Sequence, residues 1–364
     1  MQFPIVSPKR PVAAPASDMP CTFRSFSFEA DGYAIYRRQK RVQDLIFTLK
    51  CGKLLQVANS SIAGREPGQE ERFMHQTNEG VWLRGNLHMH TSRSDGCLSY
   101  EDALALYENA GYDFIAVTDH WERSQAGSTP GGMMLLSGCE YNVGATVQEV
   151  VYHIVGVGME REPALSRFDP ALSAQKIIDA IRDAGGLAIL AHPAWSLNSA
   201  EEVRRLRGLC GTEIYNTTSG FPTNARPYSG LFVDQLASLG MLLPCMAADD
   251  AHQYEQDVLG GWLMVHARER SPQAIMEALA AGDFYATQGP RISMTVHAGV
   301  AQVTCSPAAH VVFYSDAIWS QERVCSGENV TRATYHLQPH ETFLRAEVID
   351  SEGRRAFSSP VRCR

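Results

Sequence analysis

The chain has 364 residues, 45% hydrophobic and 20% charged, with a formal net charge of −8. That length allows one or two domains with a sizeable core, and the composition is that of an ordinary globular protein, not a disordered or fibrous one. No apolar stretch approaches the roughly 20 residues of a spanning helix, the acidic balance disfavours a long polyanion such as duplex DNA, and nine scattered cysteines without a CxxC pair argue for reduced thiols.

Residues 1–80 read as an N-terminal arm and β extension. The opening "MQFPIVSPKRPVAAPASDMP" is rich in proline and has no continuous apolar core of a secretory signal, so a cytoplasmic protein is expected. From Cys21 to about Ala58, "TFRSFSFEADGYAIYRR" alternates aromatic and polar residues around an Asp-Gly turn, as a β-hairpin does. The basic run "RRQKR" (37–41) reads as a solvated face.

Over residues 81–288 short apolar runs alternate with helix-period segments, the pattern of paired strands and helices. Strands are predicted in "WLRGNLHMH", "DFIAVTDH", "MMLLSGCEY", "VVYHIVGVG", "GLAILAHP", "GTEIYN" and "GMLLPCMAADD". Helices are predicted after Ser99, Ser173 and Ser271-Pro272, which supply N-caps and a proline at the first helical position. A β/α barrel is the natural closure for so many alternating units. After "FYATQGP" the helical signals stop, and residues 289–364 read as a small all-β module, a β-sandwich of short strands.

The stretch "GNLHMHTSRSDG" (85–96) carries the first chemistry. On a strand, His88 and His90 share one face and can reach one ion, while Asp95 sits in a turn beside Gly96, whose freedom to take positive φ would return the carboxylate to the strand end. Other predicted strands end in His120, Glu140, His192 and in Asp250 with His252, and His153 lies within "VVYHIVGVG". At the mouth of a barrel these side chains converge. Six histidines and three carboxylates gathered there need partners, and shared metal ions supply them.

In order and spacing, "HMHTSRSDG", "DFIAVTDH", "AHP" and "DDAH" resemble the signature motifs of the PHP (polymerase and histidinol phosphatase) superfamily of metal-dependent phosphoesterases. "GDFYATQGP" and the β module after it further resemble the CehA/McbA-like metallohydrolase branch. The resemblance covers roughly residues 84–255 and implies a distorted (β/α)7 TIM-like barrel with two to three divalent ions at the strand ends. It implies a first ion on His88, His90, Glu140 and Asp250, and a second, bridged by Glu140, on His153 and His192. Asp95, His120 and His252 would hold a third, with Asp95 standing where some members have histidine.

Mixed imidazole and carboxylate ligands suit Mn, Fe or Zn. The chemistry expected is hydrolysis of a small phosphomonoester or phosphodiester by a metal-bridged hydroxide attacking phosphorus, with no serine or cysteine nucleophile. His252 or Asp249 is a candidate acid for the leaving oxygen. Arg93, Arg123 and Arg226 are candidates to clamp phosphate, and Trp121, Trp195, Tyr215 and Asn216, which follow strand ends, to line the pocket. Two glycine- and proline-rich loops, 121–133 and 217–230, are expected over the mouth. The partner expected is a small phosphorylated molecule, with neither membrane nor long nucleic acid, and the oligomeric state is left open. Two alternatives stand beside this: a carbamate or carboxylic ester hydrolase using the same ions, and a metal-stabilised binding module.

Overall fold

The computed structural model describes residues 80–144 and 151–363. The N-terminal arm and hairpin lie outside these, apart from Gly80. Strand β1 (Val81–Asn86) leads through the HMHTSRSDG loop to helix α1 (Tyr100–Asn109), where the Ser99 hydroxyl accepts the Asp102 N–H at 3.1 Å. There follow β2 (Phe114–Ala116), β3 (Gly127–Ser128), β4 (Met134–Leu136), β5 (Gly138–Val143) and β6 (Tyr152–Val157). Ser173 then caps α2 (Ala174–Asp183), which buries Ile177, Ile178 and Ile181 on one face.

The chain continues as β7 (Leu187–Leu190), the short α3 (Pro193–Ser196) and α4 (Ala200–Val203), β8 (Leu209–Asn216), α5 (Gly230–Ser238), β9 (Cys245–Ala248) and β10 (Trp262–Ala267). Next come α6 (Pro272–Ala281), with Ser271 as its cap, and β11 (Phe284–Thr287). The rest is all β: β12 (Ile292–His297), β13 (Val300–Ser315), β14 (Val324–His336), β15 (Phe343–Ile349), β16 (Arg355–Phe357) and β17 (Val361–Arg362). Among the described residues no helix is long and apolar enough to cross a membrane.

Two sheets result. One runs β5-β6-β7-β8-β9; the other runs β12-β13-β15-β16-β11-β10-β1-β2-β4-β3, with β14 beside β13 and β17 beside β15. Pairing is parallel for β1/β2, β2/β4, β7/β8 and β8/β9, but antiparallel for β5/β6, β6/β7 and β1/β10. The fold is therefore mixed α/β with two large sheets. The closed (β/α)7 barrel expected from the sequence is not formed as a continuous ladder, because Ser137 separates β4 from β5 and puts them in different sheets. The sheets meet at two isolated parallel bridges, Met89 with Ala251 and His120 with Glu140. Both bridges fall at motif residues, so the seams between the sheets are where the chemistry-bearing side chains gather.

The stretch read as a module over 289–364 is all β and continues the larger sheet through β16, which pairs with β11. It packs a core of its own around Val303, Phe313, Tyr335, Leu344 and Val348. Strand β10, absent from the sequence reading, lies antiparallel to β1 and alternates buried Leu263, Val265 and Ala267 with half-buried neighbours.

Candidate metal centre

Strand β1 ends at Asn86, so His88 and His90 lie past its end on an extended segment pinned by single hydrogen bonds. The Asp250 N–H donates to the His88 carbonyl at 2.8 Å, the His90 N–H to the Ala251 carbonyl at 2.9 Å, and the Thr118 N–H to the Met89 carbonyl at 2.9 Å. Fully buried Met89 faces the core, and the two imidazoles flanking it turn the other way, with their Nε2 atoms 3.3 Å apart.

The loop after His90 is shaped by Asp119, which accepts the Thr91 N–H and hydroxyl, both at 2.7 Å, and the Ser94 hydroxyl at 2.6 Å. Gly96 has a different role from the one expected. It is not among the residues with positive φ; a Cβ there would stand 2.3 Å from the His90 carbonyl oxygen, so glycine is needed for close approach. The turn leaves Asp95 half exposed, 3.4 Å from His90 Nδ1 and 3.6 Å from the Nε2 atoms of both His120 and His252.

Glu140, on β5, is the hub. Its Oε1 lies 2.7 Å from His153 Nδ1 and 3.4 Å from the Nε2 atoms of His88 and His192; its Oε2 lies 3.2 Å from His90 Nε2 and from His120 Nδ1. Asp250 Oδ1 stands 3.1 Å and 3.0 Å from the Nε2 atoms of His88 and His90. Three groups of donor atoms follow, each within 4.8 Å: His88, His90, Glu140 and Asp250; Glu140, His153 and His192; and His90, Asp95, His120 and His252. Glu140 belongs to two of them and His90 to two. All nine residues named from the sequence are brought to this one place.

The donor set fits cations. His88 Nδ1 lies 2.7 Å from Glu213 Oε1 and donates there, which turns Nε2 toward the carboxylates of Glu140 and Asp250, where it offers its lone pair to an ion once its proton is displaced. Lone pairs and carboxylates that converge without protons between them repel, and a divalent ion removes the conflict. Asp250 Oδ1 and His120 Nδ1 are buried and make no hydrogen bond. Two of the residues also hold strained backbone, with φ of 29° at His192 and 56° at Asp250, in a region that side chains other than glycine rarely enter.

With no ion present the carboxylates draw protons onto the imidazoles. Burial opposes charging of His88, but Asp250, Glu213 and Glu140 outweigh it and raise the ring well above its ordinary range. The facing carboxylates of Asp250 and Glu140 likewise overcome burial at His90, raised to about 9. His153 and His252 are also raised against burial, by Glu140 and by Asp95 respectively, whereas burial lowers His120. Glu140 and Asp250 are held well below the ordinary carboxylate range despite burial, by the facing histidines.

Glu213, which the sequence reading passed over within "GTEIYN", supports this centre from behind. Its Oε2 accepts the His192 N–H at 2.9 Å and the Asn216 side-chain N–H at 2.7 Å, so one buried carboxylate orients both His88 and His192. An acid in the middle of a buried strand was the available signal. Asn216, expected to touch substrate, is instead buried behind the ligands and donates to Glu213 and, at 3.2 Å, to Asp250.

Asp249 cannot serve as the acid proposed for it. Fully buried, it accepts the Tyr107 hydroxyl, the Thr217 hydroxyl and the N–H groups of Leu259, Gly260 and Gly261, all at 2.8–3.0 Å. Every lone pair it could use is taken by these five donors. The three arginines are not among the residues that line the cavity over this centre. Arg93 stacks on Tyr100 at 3.9 Å, Arg123 binds the Met159 carbonyl and Glu162, and Arg226 is exposed.

A cavity of about 320 Å³ opens over the centre. Asp95, His120, Glu140, His153, His192, Asp250 and His252 form its floor; Trp195, Thr218, Ser219, Thr223, Asn224, Gln253 and Asp257 form its walls. Trp195 packs edge-on against His192 and His153 and donates from Nε1 to Asn224 at 3.0 Å. Neither Trp121, whose indole donates to Asn142, nor Tyr215 lines it, and among its described lining residues there is no lysine or arginine. Of the two loops expected over the mouth, 217–230 supplies wall residues and 121–133 supplies none.

A family model described as a protein of unknown function, DUF3604, matches residues 228–336. No curated protein matches the chain. Among solved structures it is similar to a two-domain protein from Bacteroides vulgatus that contains a predicted PHP-like metal-dependent phosphoesterase, at 15% identity and a TM-score of 0.46, covering 80% of this chain and 100% of that one. A candidate metal-dependent phosphoesterase from Bifidobacterium adolescentis is similar at 16% identity and a TM-score of 0.32, over 46% and 87% of the two chains. An amidohydrolase from Chromobacterium violaceum, with bound sulfate and no metal, gives 19% identity and a TM-score of 0.34 over 48% and 89%.

Proposed function

We propose that the protein is a PHP-type hydrolase that uses divalent metal ions to cleave a small phosphoester. The observation that carries this reading is the sharing of Glu140 and His90 among three adjoining groups of donor atoms at the floor of one cavity. A structural metal site is closed, whereas shared ligands under an open cavity leave coordination positions for a substrate. In this reading His88, His90, Glu140 and Asp250 hold one ion, Glu140, His153 and His192 a second, and Asp95, His120 and His252 a third, with Mn, Fe or Zn as occupants. The two sheets, bridged at Met89–Ala251 and His120–Glu140, are then a distorted seven-stranded barrel opened at its seams.

Bound ions supply a Lewis acid for the phosphoryl oxygen and lower the pKa of an attacking water, so no side-chain nucleophile is needed. The chain's own part is placement. Glu213 fixes His88 and the backbone of His192, Asp119 fixes the loop carrying Asp95, and Trp195 walls the cavity on the side of His153 and His192. His252, whose Nδ1 donates to the Asp250 carbonyl at 2.6 Å, keeps Nε2 toward Asp95 and the cavity; that nitrogen would ligate the third ion, and with two ions only it is instead the candidate to protonate the leaving oxygen. Nine scattered cysteines without a CxxC pair favour a cytoplasmic setting.

Elemental analysis of freshly purified protein, with phosphate release from p-nitrophenyl phosphate and bis-p-nitrophenyl phosphate, tests the proposal. Two to three equivalents of metal and turnover abolished by chelation are expected, and His88→Ala should lose both. Metal loss in that variant with phosphatase activity unchanged would refute the reading. The lack of a guanidinium among the described lining residues of the cavity favours one second reading, attack on the carbon of a neutral ester or carbamate. Turnover of p-nitrophenyl acetate in preference to both phosphoesters would select it.

A further inference from the structure

The walls of the cavity restrict what can be bound there. Four carboxylates line it, Asp95, Glu140, Asp250 and Asp257, and no lysine or arginine among the described residues answers them. In the phosphoester reading, the first three and the reacting phosphoryl group share the charge of the ions. Asp257 stands outside all three groups of donor atoms. It is 6% exposed; its Oδ2 accepts the N–H groups of His252 and Gln253, both at 2.7 Å, while its Oδ1 is buried and accepts no hydrogen bond. An unpaired buried carboxylate oxygen calls for a donor. The neighbouring wall is neutral and polar, with Thr218, Ser219, Thr223, Asn224 and Gln253 beside Trp195.

We infer that the leaving group of the substrate is a compact, donor-rich alcohol without negative charge, a polyol or an amino alcohol, and that Asp257 is the residue that selects it. This rests on the phosphoester reading. A second phosphate or a carboxylate on the leaving group would face Asp257 with no lysine or arginine among the described lining residues to pair it, and like charges brought together in a confined site are strongly disfavoured. The volume of about 320 Å³ suits a molecule of a few carbons beyond the phosphoryl group.

The test uses the full chain loaded with manganese or zinc and esters of matched size: phosphoethanolamine, glycerol phosphate and 3-phosphoglycerate. Phosphate release should favour the first two by about tenfold or more in kcat/KM over the third. Calorimetry with uncleavable phosphonates gives a readout independent of turnover, in which 2-aminoethylphosphonate should bind about tenfold or more tightly than 3-phosphonopropionate. Asp257→Asn should narrow that ratio with metal content kept. Gln253→Arg, at an exposed wall position, should raise the affinity for 3-phosphonopropionate whether or not the Asp257 variant folds.

Equal binding of the two phosphonates by the unaltered protein would overturn the inference, and so would Gln253→Arg leaving selectivity unchanged. Phosphate released from all three esters alike would overturn it while sustaining the phosphoesterase reading. A binding preference with no phosphate released from any ester would sustain the charge rule and overturn hydrolysis. Neither release nor phosphonate binding would sink both.

Discussion

Glu213 Oε1 lies 2.7 Å from His88 Nδ1, on the far side of the ring from Glu140 and Asp250. The carboxylate selects the tautomer that presents Nε2 to the centre, and its second oxygen holds the His192 backbone at 2.9 Å. Glu213→Gln should therefore lower metal affinity by about 10–100-fold without touching a ligand. Metal titration with circular dichroism as a control for folding checks this, and unchanged affinity in a folded variant would remove Glu213 from the centre.

Glu140 contacts five histidines, His88, His90, His120, His153 and His192. His153 contributes to one group of donor atoms only, whereas Glu140 contributes to two. His153→Ala should accordingly lose about one equivalent of metal and Glu140→Ala about two. Equal losses, measured by elemental analysis on folded protein, would contradict a bridging Glu140.

The histidines and carboxylates were legible because metal ligands come as residue types with few other reasons to cluster, and because His120, Glu140, His192 and Asp250 each close a short apolar run. What supports them was not. Glu213 pairs with His88 across 125 positions of sequence, and Asp119 reads as a loop residue until Thr91 and Ser94 are folded against it. Asp249 and Asp250 are adjacent and alike on paper, yet backbone direction sends one into the Leu259–Gly261 turn and the other toward His88. The split between β4 and β5 was equally hidden, since "MMLLSGCEY" is one apolar run and only pairing partners show that Ser137 divides it between two sheets.

Metal uptake should release protons. In the metal-free centre His88, His90, His153 and His252 are raised above the ordinary imidazole range, His90 to about 9, so they hold protons near pH 7 that an ion must displace. The sign for stability follows from the same shifts. Groups raised in the folded state contribute stability that is fully present below an unfolded value of about 6.5 and is lost as pH rises through the folded one. The metal-free protein should thus lose thermal stability between about pH 6.5 and 9, and metal affinity should rise over the same window. Calorimetry in buffers of different ionisation enthalpy reads the proton release directly; a binding enthalpy that does not depend on the buffer would show that the histidines enter the reaction unprotonated.

Arg345 offers a test of what holds the wall loop to the C-terminal strands. Its guanidinium, fully buried, forks onto Asp234 of α5 at 2.6 and 2.9 Å and reaches Glu347 at 2.5 Å, while Glu347 also accepts Arg355 and the Tyr228 hydroxyl at the end of the 217–230 loop. Removing the cation would leave Glu347, itself fully buried, short of its principal partner, which costs far more than the intact pair contributes. Arg345→Met should therefore destabilise the protein by about 3–5 kcal/mol, whereas Arg345→Met combined with Glu347→Leu should recover part of the loss, because the fully buried charge is then gone and only the more exposed Asp234 is left without its partner. Denaturant unfolding of the two variants decides it. A double variant no more stable than the single one would mean that packing against Tyr314, 4.0 Å from the guanidinium carbon, outweighs the charge pairing.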